Sequence, residues 1–349
     1  MTGPGVRLGS RRIGDDEPVY VIAEAGVNHN GRLETALRLI DAAAEAGADA
    51  VKFQIFHAEA LTVADAPAAE YQRRNASGQR ALLEALELSD RDWRRIREHC
   101  RRCGIDFLAT PFSLRDLERL AGLEPVAVKI ASTDIDHYPL LRAAAAVSLP
   151  VLLSTGAAEL ADVEQAVGWF ERFDALERLV LLHCVSAYPT PLEAANLRAI
   201  GVLRDHFDRP AGFSDHTVEV ETAALAVAAG ACVLEKHFTL DRGQPGPDHA
   251  LSLDPADLRA YVAQARRAER VRGDGRIAVI ELERDVRRVS RRSVVTTRAL
   301  KAGHTLTEAD LVAKRPAGGI PPGAWPALIG RRLRQDVEPE TVLRWELIE

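Results

Sequence analysis

The feature that most constrains the fold of this chain is an eightfold alternation of short apolar segments with longer amphipathic segments. The short segments end at Gly, Pro or polar clusters and are typical of strands, whereas the longer ones have the apolar spacing of helices. Because the strand segments are almost continuously apolar, we predict that they are buried on both faces, as in a parallel sheet. The predicted strands are Val19–Glu24, Ala50–Phe56, Ile105–Pro111, Val126–Ser132, Val151–Gly156, Leu179–Ser186, Pro210–His216 and Cys232–Phe238.

Eight strand–helix units within about 270 residues are the size expected of a closed (β/α)8 TIM barrel. We therefore predict an α/β fold with a TIM barrel as its main domain. An open doubly wound sheet is the structural alternative. The predicted helices are Leu33–Ala46, Ser89–Arg102, Leu114–Leu120, Leu140–Ala146, Leu160–Phe170, Leu192–His206, Val218–Ala229 and Pro255–Val271.

The part of the chain after the barrel has a different character. Gly273–Arg292 is rich in arginine and poor in core residues, and from Ser293 onward Gly and Pro recur with little helical periodicity. Such spacing is typical of a small β-rich domain. We predict a barrel domain over residues 1–272, a linker over 273–292 and a small domain over 293–349.

Composition limits the partners and the compartment. The net charge of −6 argues against broad binding to nucleic acid, which requires a concentrated basic surface. Met1–Gly14 contains no apolar stretch able to act as a signal peptide, and no later run resembles a membrane span. We therefore expect a cytoplasmic protein. The four cysteines form no disulfide framework, and the lone C-x-x-C of Cys100 and Cys103 is interpreted as structural.

Polar residues collect where the predicted strands end, which is where barrel enzymes place their chemistry. Lys52 and Lys129 lie within apolar strands, where lysine is rare unless it has an anionic partner. Together with the nearby hydroxyls they indicate a bound phosphate or carboxylate. The other strand-end residues are Glu24, Gln54, Thr110, Ser132, Asp134, Ser154, Thr155, His183, Ser186, Tyr188, Ser214, His216, Glu235, Lys236 and His237.

Two histidines indicate a metal site. His216 and His237 end adjacent predicted strands, in the segments GFSDHT and LEKHFT, so the barrel brings them close. A pair of imidazoles beside carboxylates suits Mn, Fe, Co or Zn, with water completing the coordination. Their spacing does not identify the ion.

Several ordered sequence blocks carry a resemblance to a known family. They extend from about Val19 to the C-terminus and include IAEAGVNHNG around Glu24, VKFQ at Lys52, KIAS at Lys129, LSTG at Ser154, LHCVSAYP, GFSDHT, EKHFT, GPDH at Asp248 and KRPAGGI at Arg315. In these blocks the chain resembles the N-acetylneuraminate (sialic acid) synthase family, which includes pseudaminate and legionaminate synthases. The end of the chain is similar to the SAF (antifreeze-like) domain of that family.

The resemblance implies a set of roles for individual residues. Family dimers are domain-swapped, so Arg315 is expected to reach the barrel of the partner subunit. The expected cofactor is a divalent metal on His216 and His237, Mn²⁺ first, with Mg²⁺ or Co²⁺ as alternatives. Phosphoenolpyruvate is expected to contact Lys52, Thr110, Lys129, Ser132, Ser154, Ser186 and Ser214. The acceptor sugar is expected to contact Gln54, Asp134, Tyr188, Glu235, Asp248 and Arg315.

The implied activity is condensation of phosphoenolpyruvate with an N-acetylmannosamine-like aldehyde, giving a 3-deoxy-2-keto nine-carbon acid and phosphate. Lys52 and Lys129 would hold the reactants, and Glu24 or Glu235 would act as the acid or base. One alternative is condensation with a different or phosphorylated aldose, as in related barrel synthases. Another, from a different class, is a carbohydrate-binding protein without catalysis.

Overall fold

A computed structural model of the chain describes residues 5–63, 66 and 78–349. The chain divides into two compact units, Met1–Asp274 and Gly275–Glu349. The division falls inside the predicted linker. Residues 1–4 of the segment Met1–Gly14 lie outside the described residues. Of the helices that the structure describes, none is both long and apolar enough to cross a membrane.

The first unit is a closed barrel of eight parallel strands, so the predicted TIM barrel is confirmed. Closure is made by the pairing of the last strand with the first, with Val233 opposite Tyr20, which excludes the open sheet. Each predicted strand has a counterpart. The barrel strands are β3 Tyr20–Gly26, β4 Ala50–Ile55, β5 Asp106–Pro111, β6 Val128–Ile130, β7 Val151–Ser154, β8 Leu179–Cys184, β9 Ala211–Asp215 and β10 Val233–His237.

A hairpin that the sequence did not predict precedes the barrel. Strands β1 Val6–Leu8 and β2 Arg11–Ile13 pair antiparallel. The apolar side chains of Val6, Leu8 and Ile13 are buried in one cluster with residues near the N-terminal ends of the barrel strands. The hairpin therefore covers the end of the barrel opposite the predicted site.

Helices follow the strands on the outside of the barrel. Helix α4 shows why these segments are helical: Ser89 Oγ accepts a hydrogen bond from Asp92 N, and Gly104 ends the helix in the left-handed conformation. The helices of this unit are α1 Leu33–Glu45, α2 Ala58–Leu61, α3 Gln79–Glu84, α4 Asp90–Cys103, α5 Leu114–Ala121, α6 Tyr138–Ala146, α7 Leu160–Arg172, α8 Arg198–Phe207, α9 Thr222–Ala228 and α10 Pro255–Arg272.

Strand alternation decides which side chains enter the barrel. Successive strand residues point to opposite sides of the sheet. On β3 the side chains of Tyr20 and Ile22 belong to the inner apolar cluster, and those of Val21 and Ala23 belong to the outer cluster that packs on the helices. Glu24 therefore follows Tyr20 and Ile22 on the inner side. The interior is apolar at the N-terminal ends of the strands and polar at their C-terminal ends.

The second unit is small and β-rich. Strands β11 Ser293–Thr296 and β12 Leu311–Lys314 pair antiparallel, and helix α11 Arg284–Ser290 lies within the predicted linker. Asp310 is buried and accepts hydrogen bonds from Thr307, Arg298 and His304. The core of this unit comprises Val294, Leu300, Leu306, Leu311, Ile320, Leu328, Leu333, Val337, Leu343 and Ile348.

Candidate active site

Four buried charged side chains meet at the C-terminal mouth of the barrel. Lys52 Nζ lies 2.9 Å from Glu24 Oε1 and 3.7 Å from Glu235 Oε2, and it donates a hydrogen bond to Thr110 Oγ1 at 3.0 Å. Lys129 Nζ lies 3.8 Å from the other oxygen of Glu235. The two lysines thus share one carboxylate. Protonation of Glu24 would leave this cluster with a net positive charge suited to an anion.

The two glutamates of the cluster differ in protonation. Burial raises the pKa of Glu24 to about 7, against the opposing effect of Lys52. Burial also acts on Glu235, but the charges of Lys129 and Lys52 outweigh it and hold the pKa of Glu235 below its usual value. Ser214 donates a hydrogen bond to Glu235 Oε1 at 2.8 Å and favours the same ionised form. Paired carboxyl groups whose pKa values are pushed apart are suited to separate acid and base roles.

Side chains that carry hydroxyl or thiol groups crowd around Gly156, shortly after β7. The Gly156 N–H donates a hydrogen bond to Ser132 Oγ at 2.9 Å. A Cβ at Gly156 would lie 2.5 Å from Ser186 Oγ and 2.9 Å from Ser132 Oγ, so only glycine allows the two hydroxyls to come this close to the backbone. Among the described residues, the buried hydroxyls of Ser154 and Ser186 have no hydrogen-bond partner. Buried polar atoms normally find one, so these hydroxyls are available to a ligand.

His216 and His237 lie together at the mouth, with ring centroids 5.4 Å apart. Tyr188 packs against both rings, at 4.3 Å from His216 and 6.4 Å from His237. His216 Nδ1 lies 2.8 Å from the Val185 carbonyl oxygen. That contact requires the proton on Nδ1, which leaves Nε2 of a neutral ring as the free ligand atom.

The donor atoms around His237 fit a divalent cation. Within the described part of the chain, His237 Nδ1 is buried without a hydrogen-bond partner, and Asp248 Oδ2 is 3.9 Å away. Burial lowers the pKa of His237 well below its usual value and so keeps the imidazole neutral, the form that binds metals. Glu24 Oε2 and Glu235 Oε2 are also buried and unpartnered among these residues. Burial also acts on His216, but Cys184 and the Val185 carbonyl outweigh it and raise the pKa of His216, so its ring must be deprotonated at Nε2 to bind a cation. Two imidazoles beside carboxylates make a suitable ligand set.

A cleft of about 90 Å³ opens next to the histidine pair. Gln54, Tyr188, His237 and Asp248 form its polar side. Burial raises the pKa of Asp248 to about 6. The other residues that line the cleft are apolar: Val27, Leu82, Leu83, Leu86 and Pro247.

Three of the residues predicted to bind sugar, Asp134, Glu235 and Arg315, are not among those that line this cleft, and Glu235 belongs to the lysine cluster instead. Asp134 lies in the turn Ser132–Asp134 after β6, where burial raises its pKa to about 6, but it does not line the cleft. Arg315 is an exposed residue of the second unit, after β12. The sugar-binding roles that the sequence predicts for Asp134, Glu235 and Arg315 stay predictions.

A different group of metal-ligand atoms lies between helices α1 and α4, outside the barrel. Asp41, His99 and Cys103 converge there. Asp41 Oδ1 lies 2.6 Å from His99 Nε2 and accepts a hydrogen bond from Cys103 Sγ, and the Arg102 guanidinium is 2.8 Å from His99 Nδ1. These atoms are already paired, and a guanidinium opposes a second cation. We therefore place the metal proposal at the mouth of the barrel.

Sequence reasoning missed two parts of the site. Gly156 was recognised within its block but given no role, although a glycine directly after a strand often marks a close approach of the backbone to a ligand. The leucines of the cleft were also missed. Leu82 and Leu83 belong to the six-residue helix α3, which gives too little periodicity to indicate that it faces the barrel mouth.

Comparison with known proteins gives matches along nearly the whole chain. The NeuB family matches residues 39–277, and the SAF domain matches residues 291–349. The chain is 41% identical over 342 residues to N,N'-diacetyllegionaminic acid synthase of Legionella pneumophila subsp. pneumophila, covering 96% of each protein. It is 37% identical to the synthase of the same name from Campylobacter jejuni subsp. jejuni, covering 93% of this chain and 98% of the relative.

A solved structure is similar in both sequence and fold. It is the crystal structure of N-acetylneuraminic acid (sialic acid) synthetase from Leptospira borgpetersenii serovar Hardjo-bovis in complex with citrate. The two superpose with a TM-score of 0.74 at 36% identity, over 82% of this chain and 95% of that one. The resemblance found from the sequence blocks is therefore confirmed.

Proposed function

This chain belongs to the NeuB family and ends in a SAF domain, and on that premise we propose that it is a phosphoenolpyruvate-dependent transferase that makes a nonulosonic acid. The acceptor is an N-acetylmannosamine-like amino-sugar aldehyde, and the products are a 3-deoxy-2-keto nine-carbon acid and phosphate. The observation that carries the proposal is the cluster of Lys52, Lys129, Glu24 and Glu235, buried at the barrel mouth beside His216 and His237. We place the reaction in the cytoplasm.

Phosphoenolpyruvate is assigned to the lysine cluster and the serine hydroxyls near Gly156. Its carboxylate and phosphate are anions, and charge-assisted hydrogen bonds from buried lysines bind such groups strongly. The unpartnered hydroxyls of Ser154 and Ser186 would complete the contacts, together with Thr110, Ser132 and Ser214. Gly156 lets the side chains of Ser132 and Ser186 approach the backbone closely, because a Cβ at this position would lie 2.9 Å and 2.5 Å from their hydroxyl oxygens.

His216 and His237 are proposed to hold the divalent metal, with Mn²⁺ as the first candidate and Mg²⁺ or Co²⁺ as alternatives. A cation bound there would act as a Lewis acid on the aldehyde oxygen of the acceptor. Tyr188 packs on both rings and limits their movement. The neutral state of His237, which follows from its burial, keeps its ring available as a ligand.

On the basis of their opposite pKa shifts, we give the two glutamates different parts in the reaction. Carbon 3 of phosphoenolpyruvate forms a bond to the aldehyde carbon, and the aldehyde oxygen takes a proton, which Glu24 supplies because its pKa of about 7 keeps it partly protonated. Water then adds to carbon 2, and Glu235, which is ionised, accepts the proton of that water. The new hydroxyl on carbon 2 then passes its proton to the departing phosphate as the carbon–oxygen bond breaks, which releases phosphate and leaves the 2-keto acid. Lys52 and Lys129 hold the anionic reactant in place throughout.

The cleft beside the histidines is assigned to the acceptor sugar. Gln54, Tyr188 and Asp248 offer hydrogen bonds to hydroxyl groups, and the wall that includes Leu82 and Leu83 suits the methyl of an N-acyl group. Among the described residues that line this cleft there is no Lys or Arg. Of the groups assigned to the acceptor only Arg315 is a permanent cation, and we assign it to hydroxyl or N-acyl oxygens, so we favour an unphosphorylated acceptor.

The test of this function is a mass-spectrometric acceptor screen. The protein is mixed with phosphoenolpyruvate, Mn²⁺ and a panel of 2-acetamido, 2,4-diacetamido, unacylated and phosphorylated hexoses. We expect a product that contains the acceptor plus the pyruvyl unit, with one phosphate released for each product. Product from phosphorylated sugars alone would favour the alternative acceptor class. Phosphate release with no acceptor, or no product with the whole panel, would contradict the proposal.

We further propose that the protein acts as a homodimer in which the second unit of one subunit serves the barrel of its partner. A row of apolar side chains in and before helix α11 is exposed: Ile277 is fully exposed and Leu282 is 87% exposed. Val286 on α11 is 61% exposed. Exposed apolar surface of this extent is typical of a protein interface.

Replacing Arg315 with alanine is expected to raise the KM for the acceptor by about tenfold, with little change in the KM for phosphoenolpyruvate, because a guanidinium binds polar oxygens in pairs. The measurement is steady-state kinetics with each substrate varied in turn. Arg344→Ala is the matched control, since Arg344 is an exposed arginine of the same unit. Equal effects of the two changes, or no effect of Arg315→Ala, would contradict the role of Arg315.

A further inference from the structure

A buried ion pair lies directly behind the two histidines. Asp215 and Lys236 are opposite each other on the adjacent strands β9 and β10, and Lys236 Nζ is 2.9 Å from Asp215 Oδ2. Each side chain is at most 1% exposed. Because each precedes a histidine in the chain, Asp215 and Lys236 point away from the barrel interior, toward the helices. The ring of Tyr261, from α10, lies 5.3 Å from Lys236 Nζ.

The same pair fixes the backbone on both sides of His216. Asp215 Oδ1 accepts hydrogen bonds from Thr217 N at 2.8 Å and from Thr217 Oγ1 at 2.7 Å. Lys236 Nζ donates a hydrogen bond to the Thr217 carbonyl oxygen at 2.7 Å. Asp215 and Thr217, which flank His216, are therefore both bound to the side chain of Lys236, the residue before His237. Thr222 adds a further hydrogen bond to Asp215 Oδ2 at 2.5 Å.

Stability alone is a poor explanation for this arrangement. Burying an ion pair has a desolvation cost, and replacing such a pair with apolar residues of similar volume is often neutral or stabilising. The neighbouring outward-facing positions Phe213 and Leu234 carry apolar side chains that pack in the outer core. An apolar pair could not supply the hydrogen bonds that join the ends of β9 and β10, which lead to His216 and His237.

We propose that Asp215 and Lys236 are positioning residues that hold His216 and His237 at the spacing needed to bind a metal ion. The proposal rests on the metal site proposed above. Hydrogen bonds behind metal ligands fix ligand orientation in many metal sites, and their loss typically weakens metal binding by about 10- to 100-fold. The charges of the pair cancel, so Lys236 does not oppose the binding of a cation to the neighbouring histidines.

The test compares metal affinity with stability in the double variant Asp215→Val, Lys236→Met, using the full-length protein. Titration calorimetry with Mn²⁺ alone, without substrates, gives the Kd, and thermal unfolding of the metal-free protein gives the Tm. We expect Mn²⁺ binding to weaken by about 10- to 100-fold while the double variant stays folded. A Kd for Mn²⁺ within threefold of the wild-type value would overturn the positioning role but not the metal site. A wild type that binds no Mn²⁺ would overturn the metal site, and this proposal with it.

Two further variants test whether a general loss of barrel stability, and not a loss of positioning, weakens metal binding. Asp116→Asn removes a buried carboxylate of α5 that accepts hydrogen bonds from His57 and Ser113, away from the metal ligands. It is expected to lower the Tm without changing the Kd for Mn²⁺, and an equal loss of affinity in this control would overturn the proposal. Should the double variant fail to fold, Thr222→Val removes the hydrogen bond to Asp215, together with those to Thr217 Oγ1 and the Glu219 carbonyl, and leaves the ion pair in place. A weaker Kd in Thr222→Val supports the positioning role, and an unchanged Kd counts against it.

Discussion

Replacing His237 with alanine is expected to reduce the rate of phosphate release from phosphoenolpyruvate and acceptor on the order of 10³-fold. A metal ion that stabilises developing charge contributes several kcal/mol to a reaction barrier, and each 1.36 kcal/mol corresponds to a tenfold change in rate. His237 supplies a buried, neutral ring whose Nδ1 has no hydrogen-bond partner among the described residues. The measurement is a continuous phosphate assay at saturating substrates over a range of Mn²⁺ concentrations.

His183 provides a matched control for this prediction. It is a buried histidine at the end of β8, but its Nε2 is bonded to the Ala195 carbonyl oxygen at 2.9 Å and its ring stacks on Phe213. His183→Gln is expected to keep the metal dependence of the wild type. Near-normal turnover of the His237 variant, or of the wild type after removal of metal by a chelator, would contradict the assignment of His237 as a ligand.

The barrel and its polar mouth were predictable because they depend on local patterns. Strand alternation alone places Ala50, Lys52 and Gln54 on one side of β4, and the apolar strands around them required these side chains to meet other polar groups. The same reasoning brought His216 and His237 together. The predicted strands differ from the observed ones at their ends, as where the predicted strand Val126–Ser132 is reduced to Val128–Ile130.

Other features depend on tertiary contacts that no local pattern contains. The pKa shifts of Glu24 and Glu235 differ because Glu235 lies near both Lys52 and Lys129. Glu24 contacts Lys52 but not Lys129. The N-terminal hairpin was missed because each of its strands has three residues, one or two of them arginine. The link between Asp215 and Lys236 follows from strand register, which the sequence indicates only after the order of the strands is known.

Replacing Lys52 with methionine is expected to lower kcat/KM for phosphoenolpyruvate by about 10²- to 10³-fold, the loss typical when a buried group that stabilises anionic charge is removed. Lys52 is 3% exposed, and its pKa is raised because Glu235 and Glu24 outweigh the effect of burial, so it is charged when the substrate binds. The measurement is initial-rate kinetics with phosphoenolpyruvate varied at saturating acceptor. A kcat/KM within threefold of the wild type would contradict the assignment.

The same substitution has a second readout, in the pH dependence of stability. The pKa of Glu24 rises from 4.5 to about 7 on folding, so Glu24 makes the folded protein progressively less stable as the pH rises from about 4.5 to about 7. Without Lys52 the pKa of Glu24 should rise further, and the loss of stability should continue above pH 7. Urea unfolding at pH 6 and pH 8.5 should therefore show a larger destabilisation of Lys52→Met at the higher pH.

Removing the charge of Glu24 as well separates the two effects of Lys52. In the double variant Lys52→Met, Glu24→Gln, the carboxylate that must ionise in a buried position is absent, so the extra loss of stability at pH 8.5 should largely disappear. Activity should stay low because the anion still lacks its lysine. If the double variant regained kcat/KM for phosphoenolpyruvate, Lys52 would matter only as the partner of Glu24. A pH dependence unchanged by Glu24→Gln would place the titrating group elsewhere in the cluster.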